Sequence, residues 1–158
     1  MNSEVRKSFT YRITNANKTQ MITILYEMVL TYLGDAEENL DTDNMEEFAV
    51  NLKRTQNCID ELIHSLNLNY EIGQNLLSLY LYEKRELITF ETRHEKAYLR
   101  HAQKTFTELH RAYSFIEKQD KSGPVMTNAQ EVYAGLTYNK YNLQVNVGNL
   151  MGNRGFKA

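Results

Sequence analysis

Tryptophan is absent from the 158 residues, cysteine and proline occur once each, and neither sign of charge dominates. Each shortage excludes something. A single cysteine, Cys58, cannot build a disulfide framework; on a helix it reads as a small buried hydrophobe. Eighteen Lys and Arg against twenty Asp and Glu leave a formal net charge of −2, with the two signs interspersed. Neither nucleic acid nor an anionic membrane surface is therefore an expected partner. No apolar run approaches the ~18 residues of a membrane span, and the first twenty residues lack the apolar centre of a signal peptide. The expectation is a reduced, cytoplasmic protein without membrane insertion.

Glycine and proline are also scarce where helices need them to be. The one proline is Pro124, and five of the seven glycines lie from Gly123 onward. Residues 1–122 are nearly free of helix breakers, and the rest is of another kind. The length suits one domain with one core. The expected organisation is a flexible N-terminal arm over 1–17, an antiparallel up-down four-helix bundle over 18–118, and an Asn/Gly-rich tail over 119–158, extended or disordered.

The arm is polar, with Phe9, Tyr11 and Ile13 interleaved, and reads as non-helical. Asn15 and Asn17 are both able to cap the helix that follows. Four helices of about twenty residues are expected: 18–38, 45–66, 72–93 and 96–118, with Asp43 or Asn44 capping the second. The second carries a seam at Met45, Phe48, Leu52, Ile59, Leu62 and Leu66, with Thr55 in the missing slot. The fourth carries Leu99, Ala102, Phe106, Leu109, Tyr113 and Ile116. Both alternate steps of three and four, the period of a helical seam. Short connections make the helices run up and down. In the tail, Tyr133, Leu136, Tyr138, Tyr141 and Leu143 belong either to a plain linker or to a segment that docks on the chain's own apolar surface.

What is present in excess is apolar surface on the first helix. In Met21–Leu33 only Thr23, Glu27 and Thr31 are polar, at spacing i, i+4, i+8. That draws one narrow polar row, whereas a helix on one side of a core needs an apolar stripe little more than ~100° wide. The third helix is similar: beside Leu76, Leu79, Tyr80, Leu87 and Phe90 runs a second row, Leu77, Leu81 and Ile88. The imbalance predicts a groove lined by these two helices that binds another polypeptide.

Chemical sites are not supported. Glu61–His64 and Glu91–His94 repeat a Glu-x-x-His spacing found in di-iron bundles, with Glu27 and Glu83 as possible single ligands. Counted from the turn near Asn69, the two pairs stand about 20 Å apart in height at ~1.5 Å per residue, too far to share a metal pair. His64, His94, His101 and His110 would all be eligible for phosphotransfer, but a lone histidine on a helix surface reads as polar surface. No nucleophile–base pair, Gly-rich phosphate loop or Cys/His cluster is present. No metal, no cofactor and no enzymatic activity is expected.

The run TQNCIDELIHSLNLNYEIGQNLLSLYLYEKREL (55–87) closely resembles the second and third helices of the flagellin export chaperone family (FliS type). Ile59, Asp60, Glu61, Leu62, Leu66 and Asn67 match the family's second helix. Asn75, Leu76, Leu79, Tyr80, Tyr82 and Leu87 match the third, in an Asn-Leu-x-x-Leu-Tyr run. Ile13, Ala16, Met21, Ile22, Leu25 and Tyr26 match the first. The chain departs at Asn17-Lys18, where the family has Ser-Pro, at Leu81 and Glu83, where Asp and Met are usual, and at Ala112-Tyr113, where Trp is common. The resemblance implies a cytoplasmic bundle that binds the C-terminal segment of new flagellin, prevents early polymerisation and hands it to a membrane protein of the export gate. The expected client contacts are Met21, Ile22, Leu25, Tyr26 and Val29 with Leu76, Leu77, Tyr80 and Leu81, and Phe9, Tyr11 and Ile13 are expected to cover the groove as an arm. The alternative keeps the bundle as a non-enzymatic regulatory or structural homo-oligomer that buries the same surplus against a second copy.

Overall fold

Asparagine opens three of the five helices that the computed structural model describes over residues 1–126. Asn2 accepts the Val5 N–H at 2.8 Å and starts α1 (Ser3–Asn15). Asn17 accepts the Gln20 N–H at 2.8 Å, and its own N–H donates to Gln20 Oε1 at 2.9 Å, a reciprocal box that starts α2 (Lys18–Asp41). Asn44 starts α3 (Met45–His64) by accepting from Glu47 N–H. Each short side-chain oxygen takes an N–H that a first helical turn leaves unpaired. The remaining helices, α4 (Glu71–Arg93) and α5 (Lys96–Glu117), start without a side-chain cap. Among the described residues all regular structure is helical.

The N-terminal arm is the main departure from expectation: Ser3–Asn15 is a helix. Its composition is polar because it buries only a narrow strip. Phe9 packs with Ala16 and Ile24, and Ile13, Met21 and Met28 close around them. The chain turns back at Ala16, whose backbone is extended, so α1 runs antiparallel along α2. The N-terminal ammonium of Met1 meets Asp35, and Arg12 meets Glu27. Isolated, a mostly polar segment of thirteen residues would not hold a helix; packing on α2 supplies what propensity does not.

Helix α2 packs on α3 and α5, and α4 packs on the same two. Thr19 near the start of α2 donates to Asp120 just past α5, while Lys96 at the start of α5 donates to Asp41 at the end of α2, 2.8 Å away. The two helices are therefore antiparallel. The shared core takes Tyr26, Val29, Leu33 and Ala36 from α2, with Phe48, Leu52, Ile59 and Leu62 from α3. Leu76, Tyr80, Leu87 and Phe90 come from α4, and Leu99, Ala102 and Phe106 from α5. Thr55 holds its slot in the α3 seam fully buried, its hydroxyl donating to Asn51 O at 2.9 Å. Ile116 is exposed, so the α5 seam closes before its last turn. Tyr133, Leu136, Tyr138, Tyr141 and Leu143 lie outside the described residues.

Glu83 on α4 is the one fully buried acid of this core. Neither carboxylate oxygen has a hydrogen-bond partner, and His101 Nδ1 stands 3.4 Å away. Burial disfavours the charged form and pushes the carboxyl above its ordinary value, with Thr105 and then His101 offsetting part of the effect. A carboxyl whose folded pKa is raised costs nothing where both states are protonated. It costs progressively more as pH rises past 4.5, where the unfolded chain ionises first. Glu83→Met should therefore stabilise the fold at pH 7 by ~1–3 kcal/mol, with the gain shrinking as pH falls toward 4 in thermal melts.

The two described helical glycines differ in their surroundings. A Cβ on Gly73 would stand 2.1 Å from the carbonyl oxygen of Asn67 in the α3–α4 connection, whereas a Cβ on Gly34 would meet nothing within 4 Å. Gly73→Ala should cost ~1–3 kcal/mol by overpacking backbone against backbone. Gly34→Ala, in an exposed helix interior, should gain ~0.5–1 kcal/mol. Denaturant melts that moved both variants the same way would contradict this geometry.

Candidate functional site

The surplus on α2 divides in three directions. Tyr26, Val29, Leu33 and Ala36 enter the core, and Ile24 meets α1. Met21, Ile22, Leu25 and Met28 form one wall of an open cavity of about 840 Å³. The opposite wall is α3, through Arg54, Asn57, Cys58, Glu61 and Ser65. These fall at helical steps of three and four, so one flank of α3 faces the groove. Ile13 closes the groove on the α1 side, and Val125 lies at the same end. The floor is apolar and the rim carries Lys18, Arg54, Glu61 and His64, the usual division for a site that takes an apolar group and orients it by its polar edge.

Expected contacts are therefore brought together only in part. Met21, Ile22 and Leu25 are partly buried and share the groove. Tyr26 and Val29 are fully buried in the core, as are Leu76 and Tyr80 within a few per cent. Leu77 is partly buried on α4, and Leu81 is exposed on its outer face with Ile88. A single groove lined by α2 and α4 is not formed, because the two helices lie across the core from each other. Of the arm residues, Phe9 is buried against α2, Ile13 lines the groove and Tyr11 is exposed. Sequence reading missed the α3 wall: its groove-facing residues are mostly polar and pass for a solvated face, with Cys58 the exception. Met28 and Tyr32 were legible in principle, seven residues after Met21 and Leu25 respectively.

Glu27 lies outside the groove, on the flank of α2 that meets α1 and α5. Glu27 accepts hydrogen bonds from Nη1 and Nη2 of Arg12, at 2.5 and 2.9 Å, and pairs with His110 Nε2 at 3.1 Å. Burial alone would raise the Glu27 carboxyl; the bonds from Arg12 and His110 outweigh it and hold the group below the usual range. Glu27, the middle member of the narrow polar row, thus joins α2 to α1 and α5. Burial pushes the Cys58 thiol up to about 11, which leaves it protonated and a poor nucleophile at neutral pH. Asp120 is held down to about 2 by hydrogen bonds from Ser122 and Thr19.

A model of the family described as flagellar protein FliS matches residues 1–120. The chain belongs to that family. Among its relatives, the flagellar secretion chaperone FliS of Bacillus subtilis (strain 168) is 25% identical over 114 residues, covering 70% of this chain and 86% of the relative. The match takes in all five helices and stops at Asp120, so residues 121–158 lie beyond it. Among the described residues no helix is long and apolar enough to cross a membrane.

The Tyr26 and Tyr80 hydroxyls, 2.5 Å apart, join α2 to α4 through the core. Tyr26 also packs edge-on to Tyr113, with ring centroids 5.4 Å apart. Burial raises both phenols, Tyr80 to about 12. Removing one hydroxyl strands the other. Tyr26→Phe and Tyr80→Phe should each cost ~1–3 kcal/mol, while the double variant should cost clearly less than the sum. A double-mutant cycle by urea denaturation reads the coupling directly, and additive losses would mean the two hydroxyls do not depend on each other.

Proposed function

We propose that this chain is a non-enzymatic, cytoplasmic secretion chaperone of the flagellum. In this reading α2–α5 form an antiparallel four-helix bundle, and the α2–α3 groove receives the C-terminal segment of flagellin. Binding would keep that segment from polymerising early and present the complex to a membrane protein of the export gate. The observation that carries the reading is an open, apolar-floored groove of about 840 Å³ in a chain matched by the FliS family model. The printed name of the Bacillus subtilis relative supports the same assignment.

The physical mode is coupled folding and binding. A client helix lays leucines or aromatics at i, i+3, i+4 and i+7 into the groove. Each well-buried side chain returns ~1.5–3 kcal/mol, enough in sum to offset the several kcal/mol that ordering the segment costs. Met21, Ile22 and Leu25 are the contacts proposed to carry affinity, with Met28 beside them; methionine suits a surface that adapts to its ligand. The proposed role of α1 is to cover further apolar surface on α2 through Phe9 and Ile13 until the client arrives.

Calorimetric titration with the last ~40 residues of the same organism's flagellin tests this reading; one-to-one binding with a large negative heat-capacity change is expected. Leu25→Asp should weaken binding at least ~10-fold, since losing ~1.5 kcal/mol or more of apolar contact exceeds a factor of ten. Because Leu25 is only partly buried, the variant should stay folded by circular dichroism. No heat of binding from the folded wild-type chain would overturn the assignment.

A further inference from the structure

One end of the α2–α3 groove differs from the rest. Its floor is Met21, Ile22, Leu25 and Met28, but at Tyr32, about 10 Å beyond Leu25 at ~1.5 Å per residue, it ends on two hydrogen-bond donors. Tyr32 lines the groove and is only 8% exposed, and its hydroxyl has no hydrogen-bond partner among the described residues. Burial and then Cys58 raise this phenol, and the positive charges of Arg54 and Arg6 pull it back only in part. The group is therefore protonated at neutral pH and free to donate.

Over the Tyr32 ring stands Arg54 of α3, its Cζ 5.9 Å from the centroid. Among the described residues its guanidinium makes one long hydrogen bond, from Nη1 to Asn51 Oδ1 at 3.4 Å, and pairs with no carboxylate. The α3 residues one turn away, Val50, Asn51, Asn57 and Cys58, carry no acid. Arg12, by contrast, is held by both oxygens of Glu27. Arg54 is partly buried, so it has given up hydration without gaining a counter-charge. A planar fork of N–H donors is matched by a carboxylate, and the Tyr32 O–H adds a donor beside it.

We propose that Arg54 and Tyr32 are the specificity-determining end of the groove and receive the side-chain carboxylate of an Asp or Glu on the client helix. That the carboxylate belongs to a client rests on the proposed function. A side chain is assigned, and not a chain terminus, because Arg54 stands on the side wall: a helix that runs the whole groove reaches it sideways. The acid falls seven residues, two helical turns, from the client residue seated on Leu25, the separation of Leu25 and Tyr32 on α2 itself. Apolar packing then supplies affinity, and the carboxylate fixes register. A client slid by about one turn sets its acid against Met28, where no donor meets it.

The test titrates the full chain with octanoate and with octanamide, which share an apolar tail and differ in the charge of the head. The readouts are the Arg54 Nε–Hε resonance and 13C-labelled methyls of Met21 and Met28. Octanoate should move the Arg54 signal and bind about tenfold more tightly than octanamide, the scale of a charge-assisted pair over a neutral one. Arg54→Gln should bring the two ligands within about twofold of each other, and Tyr32→Phe should narrow the gap. A variant that only loosened the groove would weaken both ligands alike and keep their ratio. Equal affinities for the wild-type chain, or no binding of octanoate, would overturn the proposal. The flagellin peptide then separates the two readings. Neutralising one of its acids, Asp→Asn or Glu→Gln, should weaken binding to the wild-type chain about tenfold and cost nothing against Arg54→Gln. A peptide that binds but ignores every such replacement would overturn the carboxylate contact and leave the chaperone reading standing. A peptide that fails to bind while octanoate keeps its preference would sustain the donor pair as a carboxylate site and defeat the chaperone reading.

Discussion

In the middle of the core two phenol hydroxyls satisfy each other, and much of the remaining geometry depends on that bond. Tyr26 and Tyr80 come from helices that are not neighbours, and each hydroxyl has left water for the other. A buried hydroxyl without a partner is expensive, so the pair sets the rotation of α2 and α4 together. With about 100° per residue in a helix, pointing Tyr26 inward turns Leu25 to one flank and Glu27 to the other. Leu25, Met21, Met28 and Tyr32 then share the flank that becomes the groove. Glu27 is carried to the opposite flank, where Arg12 and His110 reach it.

That division explains why one helix carries so much apolar surface and remains orderly. The core takes one face of α2, α1 takes a second, and the groove keeps the third. Polar contacts hold the boundaries between them: the Glu27 cluster on one side and the Asn17–Asp120 corner at the end. The groove is left as an apolar floor with a charged rim. The buried, elevated thiol of Cys58 on its α3 wall agrees with that.

Glu83 is the opposite kind of feature. Its carboxylate lies in the core without a hydrogen bond, next to a histidine that is half exposed. Local periodicity put an acid on an inward position, and burial raised its pKa instead of supplying a partner. Glu83 shares full burial with Leu87, Phe90, Leu99 and Phe106 of the same core.

The sequence by itself determined the helices that pack on the core. Their seams repeat at steps of three and four, asparagines cap α2 and α3, and breakers are scarce before Gly123; these are local properties that each segment carries alone. It also marked α2 as too apolar, and Met21, Ile22 and Leu25 fell on the groove. Only the tertiary structure decided what met that surplus. Polar α1 is a helix because α2 is beside it. Tyr26, Val29, Leu76 and Tyr80 are core because α2 and α4 face each other across the interior, and Leu81 faces outward for the same reason. Periodicity says which residues share a face of one helix; it carries no record of which helix stands opposite. The polar α3 wall of the groove and the return of the chain after α5 to Ala16 depend on contacts about twenty to more than a hundred residues apart, and such pairings exist only once the chain has folded.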